Sequence, residues 1–329
     1  MKPPPTPFRL AQLAPVLLLA LTLSACASAR VDGGVAELRK PLAVYGASGV
    51  IELAPVHLTY EKLYPGGGGV RHGGVRSLVK QDGPGDLATN AETQLLIYSL
   101  DRPDLRIVGR VAEGLYRIVG RKSAGITTIA SLKGKRIGTM VDSSSGYFLF
   151  RVLQSEGLSF DDVELVDLRP FSAIADALAD GKVDAISIWE PHSENAIREL
   201  QDDAVVIESD AYREQFNLNT TANVLADPAK RSAIVAFVRN LIVDTRKMRE
   251  APAVAQKMVA VAGGYSRAEV IAAWPHHSFA FTFPDAMLDI LENEEKWLAN
   301  LQGRAPRTRS ELAPLIDRSI YEEASVGLP

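Results

Sequence analysis

The 329-residue chain has one cysteine, Cys26. An intramolecular disulfide is therefore excluded, and a thiolate-based zinc site nearly so. Long apolar runs are also missing. The longest, residues 10–23, carries Gln12 and Pro15 and falls short of the roughly 20 residues a membrane-spanning helix needs. A mean hydropathy of +0.02 argues against a polytopic membrane protein. Neither sign of charge dominates: 36 Lys+Arg face 40 Asp+Glu, for a net −4, so the basic excess of many nucleic-acid binders is lacking and no nucleic-acid partner is expected. No phosphate loop is present. Residues 66–69 are four glycines, but Val70 and Arg71 follow where a Walker loop needs Gly, Lys and Ser or Thr. Gly134, Lys135 and Arg136 lead into a strand rather than a helix. No nucleophile elbow surrounds Ser143, Ser144 and Ser145. His276 and His277 are adjacent, a poor spacing for converging on one ion, with no acidic pair nearby, so neither metal nor cofactor is expected. What is present is ordinary globular composition, 47% hydrophobic and 23% charged, at a length suited to two domains or lobes.

The N-terminus reads as an address. Lys2 and Arg9 precede the apolar run, as in a secretory signal. Leu23, Ser24, Ala25 and Cys26 then resemble the bacterial lipobox, in which the cysteine sulfur takes a diacylglycerol. The only cysteine of the chain falls at the one position that motif requires. Residues 1–25 are expected to be removed as a signal peptide, with 26–40 a small, polar tether. The expected location is exported and anchored to a membrane by the lipid on Cys26.

The body alternates strands and helices. Strands are expected at 41–45, 68–72, 86–89, 106–111, 116–120, 136–141, 163–168 and 184–188, separated by helical stretches that glycines such as Gly157 and Gly181 end. Strands alternating with single helices indicate an α/β class with a parallel, covered sheet. Beyond about residue 216 the texture becomes helical, after a last short strand at 223–226. Asp227 with Pro228 caps a long helix whose apolar stripe is Ile234, Val238, Leu241, Ile242, Thr245 and Met248. Ser266 with Glu269 makes a capping box, and a further helix runs over 284–301.

Four short segments carry a family resemblance: 86–93, 131–138, 142–147 and 181–191, the last ending in Trp189, Glu190 and Pro191. In order and spacing they resemble the substrate-binding proteins of bacterial nitrate, sulfonate, taurine and thiamine-precursor importers, over roughly residues 41–300. The resemblance implies a type II periplasmic-binding fold: two α/β lobes, 41–120 with 217–329 and 121–216, joined by two crossover strands near 118–122 and 216–221, with a ligand cleft between. The glycine-rich turn at 66–69 departs from the family pattern. The family's pyrimidine-synthesising enzyme relatives carry a cysteine-rich motif that this chain lacks.

In open α/β sheets, ligands sit beyond the carboxyl ends of strands, and the segments above fall at such junctions. Ser143, Ser144, Ser145 and Gly146 open a helix whose free N–H groups and hydroxyls suit an anion; equally, one serine caps the helix and the others are solvated. Ala47, Ser48 and Gly49 let backbone approach a ligand, and Gly73 and Gly74 either do the same or simply turn the chain. Thr89, Asn90 and Glu92 mix donors and acceptors, although Glu92 could cap its own helix. Trp189 could wall a pocket with Glu190 accepting from a ligand N–H; the alternative is a packed Trp189 with Glu190 in a salt bridge at the hinge. Asn219 and Thr220 could face the cleft from the second crossover. Glu92 and Glu190 together favour a zwitterion or nitrogen heterocycle over a simple inorganic anion.

The expected function is the non-enzymatic solute-binding lipoprotein of an ABC importer. It captures a small polar organic solute of sulfonate, zwitterion or pyrimidine type and delivers it to a permease driven by a separate ATPase. The rivals are a pyrimidine-synthesis-type enzyme on the same fold, and a sensory or scaffold lipoprotein that keeps the fold without transport.

Overall fold

The computed structural model describes residues 41–47, 49–80, 84–171 and 173–328; Cys26, its signal and tether, Ser48 and Ser172 lie outside the described residues. Eleven strands are described. β1 (Val44–Gly46), β2 (Arg71–His72), β3 (Leu87–Ala91), β4 (Leu105–Gly114), β10 (Glu214–Thr221) and β11 (His277–Thr282) form one sheet in the order β11-β4-β10-β3-β1-β2. β5 (Arg117–Arg121), β6 (Arg136–Thr139), β7 (Glu164–Asp167), β8 (Ala185–Ile188) and β9 (Ala204–Glu208) form the other, in the order β7-β6-β8-β5-β9.

The α/β class holds, but both sheets are mixed rather than parallel. β1 runs parallel to β2 and β3, and β6 parallel to β7 and β8. β10 is antiparallel to β3 and β4, and β5 to β8 and β9. β11 is likewise antiparallel to β4; of these reversed strands, β5 and β10 are the first that each sheet receives from the other, so they enter against the direction set by the βα units. The chain passes between sheets at 115–116 and again at 209–213, a few residues ahead of the positions expected from sequence.

Helices cover the sheets: α1 (Ala54–Leu63), α2 (Glu92–Tyr98), α3 (Ser144–Ser155), α4 (Ala173–Ala179), α5 (His192–Leu200), α6 (Ala222–Ala226), α7 (Pro228–Glu250), α8 (Ala253–Gly263), α9 (Arg267–Ala273), α10 (Met287–Leu301), α11 (Arg309–Leu312) and α12 (Ser319–Ser325). α7 is the sheet-covering helix its stripe promised. Ile234, Val238, Leu241, Ile242, Thr245 and Met248 are all buried, and Asp227 caps it by accepting from the N–H groups of Ala229 and Lys230 at 2.9 and 3.2 Å. Residues 223–226, expected as a strand, are the body of α6. Thr221 Oγ1 accepts the Val224 N–H at 3.1 Å, and this cap turns the chain helical at once.

The cores explain the arrangement. One apolar cluster fills the space between the first sheet and α1, α7, α8 and α12. A second joins both halves, running from Leu95 and Ile107 through Tyr116 to Phe148 and Trp297. A third, with Ile174, Leu178, Ile186 and Ile188, seats α4 on the second sheet.

Candidate functional site

Five parallel strands end at one place. The residues after β1, β3, β6, β7 and β8 line a cavity of about 380 Å³. Ala47 follows β1, and Asn90 and Ala91 finish β3. Met140, Asp142, Ser143 and Ser144 follow β6, Arg169 and Phe171 follow β7, and Trp189 follows β8. Gln94, Ile97 and Tyr98 of α2, together with Val50, Glu52, Glu214 and Phe216, complete the lining. A hollow of about 440 Å³ between α3 and α10 collects none of these strand ends.

The polar chemistry at the α3 end is built for an acceptor group. Ser143 is the cap. Its hydroxyl accepts from Ser145 N–H at 3.3 Å and donates to the Met140 carbonyl at 2.7 Å. Ser144 Oγ lies 2.9 Å from Tyr116 Oη, at the first passage between sheets. Arg169 is the cation of the lining, and it is paired with Asp142 and, at 3.0 Å, with Asp167. Asn90 accepts the Val75 N–H on its Oδ1 at 2.7 Å, which leaves its NH2 group as a donor. The apolar wall is Trp189 against Phe171, with ring centres 5.5 Å apart.

The opposite floor is acidic. Glu52 and Glu214 are buried, and Glu52 Oε1 lies 3.3 Å from His277 Nε2. Burial alone would raise the Glu52 pKa, but the His277 ring outweighs it and holds the carboxyl below its usual range. Burial works against charge on His277 as well; Glu52 overcomes it and holds the imidazole above its ordinary value. Among the described residues Glu214 has no such cation beside it, and burial followed by repulsion from Glu52 and Glu92 pushes it well above the carboxylate range.

Of the residues expected from sequence, Ala47, Asn90, Ser143, Ser144 and Trp189 come together in the lining. Ser48 lies outside the described residues, and the other described ones serve the scaffold. Glu190 is not aimed at the cavity: Arg117 donates to its Oε1 from both Nε, at 3.0 Å, and Nη2, and its Oε2 accepts the Glu194 N–H at 3.1 Å. Glu92 accepts from Tyr212 Oη and the Gln215 N–H, both at 2.9 Å. Ser145 bonds Thr139 Oγ1 at 3.1 Å. Gly146 allows the first turn of α3 to close on the Val141 carbonyl, where a Cβ would collide. Gly74 leaves the space that the Asn90 side chain occupies. Gly73 donates its N–H to the Gly46 carbonyl at 2.9 Å, Gly49 packs on Tyr265, and Thr89 is buried beside Gly46. Asn219 and Thr220 lie within β10, donating to the carbonyls of Ala88 and Asp86 at 3.2 and 2.7 Å.

Residues 74–268 match the family described as NMT1/THI5 like. That stretch is more than half of the chain. The chain belongs to the NMT1/THI5-like family. Among solved structures, the periplasmic aliphatic sulphonate binding protein of Escherichia coli superposes with a TM-score of 0.65 at 20% identity, covering 82% of this chain and 90% of that one. The alkanesulfonate-binding protein of Xanthomonas axonopodis pv. citri, bound to MOPS, gives 0.63 at 23%, covering 84% and 98%. A protein of Escherichia coli named for binding aliphatic sulfonates is 40% identical over 68 residues, 21% of each chain. The match thus spans about a fifth of that curated relative's length. This family member therefore has the periplasmic-binding fold that its sequence motifs implied.

Proposed function

We propose that this NMT1/THI5-like chain is the solute-binding component of an ABC importer, exported and held to a membrane through a lipid on Cys26, and that it performs no chemistry on its solute. The observation that carries this reading is a cavity walled by strand ends of both sheets, while among the described residues the chain passes between those sheets only at 115–116 and 209–213. Two narrow passages form a hinge, so the halves act as lobes that close on a solute and present a new joint surface to a permease. The solute is small, polar and organic. An acidic group, such as the sulfonate in the names of the similar proteins, fits the N-terminus of α3 with Ser144 and Arg169. A flat or apolar body fits Trp189 and Phe171.

Mass spectrometry of small molecules released from gently purified protein is the direct test. A recovered solute that rebinds and is returned unchanged supports the reading. A solute converted to product, or none that rebinds, overturns it. Cys26→Ser should abolish membrane association and leave solute binding intact; unchanged fractionation and N-terminal mass would remove the anchor from the proposal.

A further inference from the structure

The cavity floor has more negative charge than the protein around it compensates. Glu52 and Glu214 are 1% and 4% exposed, and both line the cavity. Each keeps one oxygen, Oε2, enclosed and without a donor. Among the described residues, the groups that face them are one charged histidine, His277 from β11, and otherwise neutral or acidic side chains: Glu92 from the head of α2, Tyr116 and Tyr212 from the two passages, Tyr265 ahead of α9, and His192 from α5, whose pKa burial pushes down to about 4. Arg117 is occupied by Glu190 and Glu194, and Arg169 by Asp142 and Asp167. Two carboxyls thus share one imidazolium. Two facing carboxylate oxygens form a hydrogen bond only when one of them is protonated. The remaining charge must be met by a proton or by a cation brought in from solution, because an unpaired buried charge is costly.

We propose that Glu52 and Glu214 are the cation-recognising floor of the cleft: they share one proton until a flat organic ammonium or amidinium ligand enters, donates to their free oxygens and displaces that proton to bulk water. The charges balance on both sides of the exchange. Before it, one carboxylate faces His277 in its charged form and the other carboxyl is neutral. After it, two carboxylates face the imidazolium and the ligand cation. The flat body lies against Trp189, Phe171 and Phe216, which form the apolar part of the same lining. The inference rests on reading the cleft as a solute site and adds the chemical class that its floor selects.

The experiment is calorimetric titration of the full chain with benzamidine, using neutral benzamide and benzenesulfonate of the same ring size as controls, in two buffers of different ionisation enthalpy. Benzamidine should release about one proton per molecule bound, and its affinity should rise by up to about tenfold per pH unit through the near-neutral range. Benzamide should release none. Glu214→Gln should abolish both the proton release and the pH slope, with thermal melting run beside it; if that variant does not fold, the proton count on the unaltered chain decides alone. Benzamidine binding without proton release, a slope that survives in Glu214→Gln, or no detectable benzamidine binding overturns the proposal. In those outcomes a solute still recovered by mass spectrometry leaves the binding function standing and removes only the cation floor.

Discussion

Glu190 follows Trp189 in sequence, yet the two side chains belong to different systems. Trp189 walls the cavity, while Glu190 is buried against Arg117, whose side chain is 7% exposed. Removing the carboxylate leaves that guanidinium with Glu194 alone, at 3.2 Å. Glu190→Ala should therefore cost about 3 kcal/mol in chemical denaturation and leave solute affinity little changed. A large affinity loss at unchanged stability would put Glu190 back in the cleft. Asn90, Ser144 and Trp189 were legible in the sequence because their places at strand ends fix where they sit. Glu52 and Glu214 were not, since neither stands directly at the end of a parallel strand. Arg169 and Phe171 carry the same signal as those three, since they follow the parallel strand β7.

At the scale of elements, legibility followed the strength of the local pattern. α7 combines a capping aspartate, a proline at its first position and a long stripe, and all three are where the sequence put them. Asp227→Ala removes the acceptor of two N–H groups and should lower stability by about 1 kcal/mol with no effect on solute affinity, read by thermal melting and titration. α6 misled because Val224 and Leu225 suit a strand, whereas the Thr221 cap decides for a helix. β9 and β11 were missed for different reasons. β9 is an edge strand whose residues are mostly half-buried or exposed, so no alternation marks it. β11 lies in a stretch of helices, and only its pairing with β4 makes it a strand.

For the whole molecule, the proposed hinge has a measurable consequence. A solute that binds only the folded protein, present at about 100 times its dissociation constant, should add roughly 2.7 kcal/mol of stability. The radius of gyration should fall as the halves close. Stabilisation without compaction in solution scattering would argue against hinge closure. The strand order carries a further consequence, in time rather than space. The second sheet is drawn wholly from residues 117–208, an uninterrupted stretch whose strands can pair as soon as it exists. The first sheet cannot. β10 stands between β3 and β4, so neither of those strands has its central neighbour until residue 221 has been made, and the β4 edge waits for β11 at 277–282. Pairing across so much intervening chain is slow. A nascent molecule therefore keeps its N-terminal third unpaired at the centre while synthesis continues, the loose condition in which a polypeptide can be threaded across a membrane before it folds.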